Sequence, residues 1–270
     1  MNPSINNPSI NNPSIDTQSR PNKTSLWRGM HILIILPLAA VLCIVLNVLA
    51  VLPGVWNLIQ SPEFINNPDL LNDQTFLTSQ LMTFPVILGS VIATIVSLGG
   101  SVLLVLLFGR VPNWQKELFR AVDVRWWLSA PILVLVLLIL NAGTSALLMW
   151  LFGEFDNPQE QMFGSLGLGW AVVILLPLFG GVFIGFAEEL FFRGFIYRAI
   201  RDRWGFWVGW IVSAAIFALA HMMPILFLPL FVVGLFLAFL YERSRSLWIP
   251  ITVHALNNII AFAVIFWGMR

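Results

Sequence analysis

Apolar residues dominate this chain in long, nearly unbroken runs, at about 30–52, 82–109, 127–152, 168–192, 206–222, 225–241 and 248–268. A helix that spans a bilayer needs about 20 mainly apolar residues. The pattern therefore predicts an all-α, polytopic transmembrane helix bundle of about seven spans. The fifth run is short and meets the sixth at His221-Met222-Met223-Pro224, where proline favours a sharp turn. Between the first two runs, residues 54–81 carry Pro, Asn and Asp among scattered apolar positions. That stretch reads as an external loop with one interfacial helix.

The polar interruptions inside the runs carry the chemistry. Glu188 and Glu189 stand side by side, with Arg193 four residues after the second. Ionisable groups at membrane depth are costly and mark a pathway, a relay or a catalytic centre. His221 and His254 fall in later apolar runs, so an intramembrane polar cavity is expected. Adjacent helical residues diverge by about 100°, and Glu189 and Arg193 have the acid-before-base spacing of an intrahelical ion pair. That pair would hold Glu189 and leave Glu188 to face the cavity.

His254 and Asn258 are also four apart and share a helix face. An imidazole and an amide together can donate hydrogen bonds to a developing oxyanion. Phe217, one turn before His221, is placed to wall the cavity. Asn257 is turned away from its neighbour by about 100° and reads as a hydrogen bonder in helix packing; Asn141 and Ser145, four apart, read as bonding to a neighbouring helix or as lining the cavity, with packing favoured. His31 reads as interfacial. Gly181-x-x-x-Gly185 and Gly205-x-x-x-Gly209 permit close helix contact.

Composition supports the membrane class: 59% hydrophobic residues, 10% charged and a mean hydropathy of +0.87, where soluble domains carry about 25% charged residues. A net charge of +1 argues against a nucleic-acid partner. The single cysteine, Cys43, excludes a disulfide framework and a cysteine-based metal site, and is expected as a small buried apolar residue. Arg and Lys collect before the first run, between the second and third, after the fourth and after the sixth. The remaining loops hold Glu63, Asp69, Asp73, Glu154, Asp156 and Glu160. The positive-inside rule then puts the N-terminus in the cytoplasm. Trp27, Trp126, Trp127, Trp204, Trp207, Trp248 and Trp267 sit at run ends, as anchoring belts do.

Three regions are expected. Residues 1–24, opening on repeats of Asn-Pro-Ser-Ile-Asn, read as a disordered low-complexity tail. Residues 25–126 hold the first two spans and their loops, and residues 127–270 hold the motif-bearing bundle.

Glu-Glu-x-x-x-Arg, Phe-x-x-x-His and His-x-x-x-Asn, in that order on successive apolar runs, resemble the CAAX protease and bacteriocin-processing (abortive infection) family. Its intramembrane endopeptidases include the type II CAAX prenyl endopeptidases. The resemblance covers about residues 128–268, and Glu188, Glu189, Arg193, Phe217, His221, His254 and Asn258 fill every motif position. It implies an endopeptidase acting on a membrane-associated or lipid-modified peptide. Glu188 and His221 would activate a water, His254 and Asn258 would stabilise the oxyanion, and Glu189, Arg193 and Phe217 would support them. A metal-independent reaction is implied, with no cofactor; a zinc ion, were one used, would take Glu188, His221 and His254. The expected partners are membrane lipids and a membrane-bound peptide substrate, and the expected location is a bacterial plasma membrane. A second class of reading is a non-proteolytic scaffold or bacteriocin self-immunity protein.

Overall fold

The computed structural model describes residues 29–108, 111–154, 166 and 168–268; the low-complexity tail and Trp27 lie outside them. Among the described residues the fold is all helical. Six helices are long and apolar enough to cross a membrane, and a seventh apolar helix is shorter. They are α1 (Gly29–Gln60), α4 (Phe84–Phe108), α6 (Val124–Phe152), α7 (Trp170–Trp204), α8 (Phe206–Ala220), α9 (Phe227–Ser244) and α10 (Trp248–Gly268). Short helices α2 (Pro62–Asn66), α3 (Gln74–Leu81) and α5 (Trp114–Leu118) occupy the connections.

Three boundaries differ from the sequence pattern. Helix α1 runs through Pro53 to Gln60, so the expected loop is largely helical, with α2, a 3₁₀ turn at Pro68–Asn72 and α3 following. Helix α7 continues past residue 192 to Trp204 because its arginines find carboxylates. Arg198 donates to Glu117 Oε2 at 2.6 Å, and Arg201 to Glu242 Oε1 at 2.7 Å. The Arg198 hydrogen bond holds the Glu117 carboxyl below its ordinary range. Helix α8 has 15 residues, a length of about 22 Å at 1.5 Å per residue. It falls short of the roughly 30 Å hydrocarbon core.

Two loops that charge alternation assigned to one side, with the end of α7, meet at one end of the bundle. Tyr197 donates to Glu242, and the Ser246 hydroxyl donates to the Arg120 carbonyl. The Leu247 backbone N–H donates to the Leu118 carbonyl. Beneath that end lies the main core, with Leu118, Leu190, Phe192, Phe195, Leu237, Leu247 and Val253 all at most 2% exposed.

Lipid-facing positions invert the usual burial rule. Cys43 is exposed on α1 rather than buried, because a span needs no water-hiding face and its apolar residues can meet hydrocarbon directly. His31, at the start of α1, is buried against the bundle.

Glycines set the closest helix crossings. A Cβ on Gly209 would lie 2.7 Å from Arg201 Cβ and 2.9 Å from its Cα, while Gly205 turns the chain between α7 and α8 with φ +86°. Gly209→Ala is therefore expected to destabilise the α7–α8 hairpin by about 1–3 kcal/mol, the usual cost of overpacking. A thermal midpoint in detergent no lower than that of wild type would contradict this packing.

Candidate active site

Helix α7 is not a regular α-helix where it matters. Pro177–Phe183 and Leu190–Tyr197 are wound as π-helix, and the α-helical turn Ile184–Glu189 lies between them. Such wide turns re-aim the side chains around them and are frequent at functional sites. The turn between them packs on α10 across small residues. A Cβ on Gly181 would meet Ile259 Cγ1 at 2.8 Å, and one on Gly185 would meet Ala255 Cα at 3.3 Å. This near approach of backbones brings both glutamates to His254.

Glu189 is fully buried and Arg193 is 1% exposed. Arg193 Nη1 donates to Glu189 Oε1 at 2.6 Å, and its Nη2 donates to the Gly234 carbonyl of α9 at 3.1 Å. The same Glu189 oxygen lies 2.8 Å from His254 Nδ1. Glu189 thus binds two partners, where local spacing had given it Arg193 alone. The reason is the glycine-mediated crossing, which no i,i+4 count contains. Its second oxygen, Oε2, is buried without a hydrogen-bond partner.

Glu188 points the other way, into a cavity of about 530 Å³. Its Oε2 lies 3.6 Å from His254 Nε2, so one imidazole stands between two consecutive carboxylates. A carboxylate accepts only, so Nδ1 carries the proton shared with Glu189 and Nε2 faces Glu188.

His221 lies at the C-terminal end of α8 and lines the same cavity. Its Nδ1 is 2.8 Å from the Phe217 carbonyl, which fixes Nδ1–H as donor and turns Nε2 to the cavity. Phe217 is the hub of the cluster. Its ring carries the Arg193 guanidinium at 4.5 Å and touches the rings of His221 at 4.7 Å, Phe192 at 5.1 Å and His254 at 6.0 Å. A cation over an aromatic face is attracted by the ring quadrupole, so Phe217 spaces and orients three polar groups at once.

Asn258 lines the cavity and its Nδ2 donates to the Gly180 carbonyl at 3.4 Å. Asn141 and Ser145 line the cavity, the second of the two readings open to them, and Asn257, expected in helix packing, lines it as well. Asn257 Nδ2 donates to Asn258 Oδ1 at 3.3 Å, while Asn257 Oδ1 is buried with no partner. Ser90 and Thr94 of α4 add hydroxyls to the same wall. Their four-residue spacing in an apolar run was a signal that could have marked them. Helix α1 also reaches the cavity, through Val51.

Among the described residues, no three His, Cys, Asp or Glu side chains form a group that could hold a metal ion. In both imidazoles Nδ1 is engaged, by Glu189 for His254 and by the Phe217 carbonyl for His221, so Nε2 is the ring nitrogen left to the cavity.

Residues 161–260, which carry Glu188, His221 and His254 and end two residues past Asn258, match the family described as type II CAAX prenyl endopeptidase Rce1-like. Over this segment the chain is similar to the CAAX protease family. The "Putative membrane peptidase YdiL" of Bacillus subtilis (strain 168) is 32% identical over 71 residues, covering 26% of this chain and 29% of that protein. The chain thus spans less than a third of that relative's length. No solved structure gives a significant match. The matched segment takes in α7, α8 and α9 and just over half of α10, and so includes Glu188, His221 and His254 of the cavity.

Proposed function

We propose that this protein is an intramembrane endopeptidase that hydrolyses a peptide bond in a membrane-associated segment. The observation that carries the reading is Glu188, a nearly buried carboxylate that faces a cavity also lined by His221, His254 and Asn258. Glu188 takes a proton from a water and directs the resulting hydroxide at the scissile carbonyl. His221, its Nε2 turned to the cavity, orients that water from the facing wall. As the carbonyl becomes tetrahedral, its oxygen gains negative charge and the leaving amide nitrogen takes the proton from Glu188.

The oxyanion is held by Asn258 Nδ2 and His254 Nε2. With Nδ1–H given to Glu189, Nε2 is a donor only in the doubly protonated ring. That form also balances the cluster: two carboxylates against Arg193 and one imidazolium. Glu189 is then the group that orients the imidazole, as a buried aspartate does in a serine-protease triad. No step passes through a metal.

His254→Ala and Asn258→Ala are expected to lower kcat by about 10²–10³, with KM changed much less, because an oxyanion contact is made in the transition state. A rise in KM at unchanged kcat would assign both residues to ground-state binding.

The reading as a whole is tested by mass spectrometry of protein N-termini in membranes from cells with and without the protein, repeated with a metal chelator. New termini that depend on the protein and persist with chelator are the expected result. No protein-dependent terminus, with a cellular phenotype intact, would favour the scaffold or immunity reading.

A further inference from the structure

The cavity occupies only one side of its own catalytic layer. On α7 its lining runs from Glu188 back to Gly180 and takes nothing after Glu188. On α10 it begins at His254 and continues to Ile265. Leu81 and Met82, in the connection before α4, extend it further, and Met82 is 41% exposed. Every one of these residues lies on the far side of the glutamate–histidine layer from the Arg198, Arg201 and Arg120 loops. Toward those loops the same helices are packed shut by Phe192, Phe195 and Leu247.

Charge gives this asymmetry a direction. The closed end carries the arginines of the α4–α6, α7–α8 and α9–α10 connections. The connections at the open end carry Glu63, Asp69, Asp73 and Glu154. Basic loops remain in the cytoplasm. We infer that the cavity is entered from the extracytoplasmic side, so that a substrate delivers its scissile bond to Glu188 from outside the cell or from the outer leaflet. The walls suit an unwound peptide: Asn141, Ser145 and Asn257 offer neutral amide and hydroxyl groups to a backbone that has left its helix, and such backbone is tolerated at membrane depth only against a polar cavity. The statement about substrate rests on the peptidase reading, whereas the statement about access does not.

Access is tested by thiol labelling. In a Cys43→Ala background, Ser145→Cys probes the cavity, Met82→Cys its rim and Arg203→Cys the basic end. The probe is a membrane-impermeant methanethiosulfonate applied to intact cells and to inverted membrane vesicles, with protein abundance checked for each variant. Labelling of S145C and M82C in intact cells, with R203C labelled only in inverted vesicles, is expected. Labelling of S145C from the same side as R203C would overturn the inference, as would an S145C thiol unreactive from both sides. Either result leaves proteolysis to be judged separately by the N-terminal comparison, so the two ideas fail independently.

Discussion

Glu188→Gln is expected to abolish proteolysis while the protein stays folded and abundant in the membrane. The carboxyl faces the cavity, and its nearest ion-pair contact, His254 Nε2, is 3.6 Å away, beyond hydrogen-bond length. Glutamine keeps the volume of the side chain and removes only its capacity to accept a proton from water. General-base catalysis contributes typically about 10²–10⁴-fold, so cleavage of a membrane reporter should fall by at least about that range. The check is the initial cleavage rate at matched membrane abundance. Turnover within a few-fold of wild type would remove Glu188 from the chemistry.

Glu189→Gln is expected to fail for a different reason. Glu189 has no solvent exposure, and it binds both the Arg193 guanidinium and the His254 ring through one oxygen. Without that charge, Arg193 keeps the Gly234 carbonyl, the face of Phe217, a neutral amide oxygen and the more distant carboxylate of Glu188. Breaking a buried pair by removing one partner costs about 3–5 kcal/mol, because an uncompensated charge remains inside. A large part of the stability of a typical domain is of that size, so the yield and thermal midpoint in detergent should drop sharply. A Glu189→Gln protein that is as stable as wild type but inert would exchange the roles assigned to the two glutamates.

Much of this site was legible because its spacing is local. Glu189 and Arg193, Phe217 and His221, and His254 and Asn258 are each one helical turn apart, and a one-turn spacing survives any tertiary arrangement. What the sequence did not contain was the crossing of α7 and α10. It depends on Gly181 and Gly185 meeting Ile259 and Ala255, and it gives His254 to both glutamates. The π-wound turns of α7 were equally hidden, since they answer to packing on both sides of the glutamates.

Other errors share one cause. Cys43 was assigned to an interior by a rule learned from proteins in water, where apolar groups have only the core to go to. In a bilayer that preference vanishes, and the same residue is left exposed on the face of α1. Asn257 departs in the opposite sense, because the cavity gives polar groups a second destination besides a neighbouring helix, the one that Asn141 and Ser145 also take. The short α8 was visible as a short run, but that its end would set the depth of His221 required the neighbouring helices.

The cluster around Arg193 joins four helices through one guanidinium: α7 by its own backbone, α8 through Phe217, α9 through Gly234 and, by way of Glu189, α10. Helix α10 is the last of these to leave the ribosome, and it brings His254 and Asn258 together. A chain inserted as far as α9 therefore already holds every direct contact of Arg193 but lacks His254, the second partner of Glu189. Docking of α10 is thus the step that gives Glu189 its second partner, and the proposed reacting groups come together only once that helix has packed against α7.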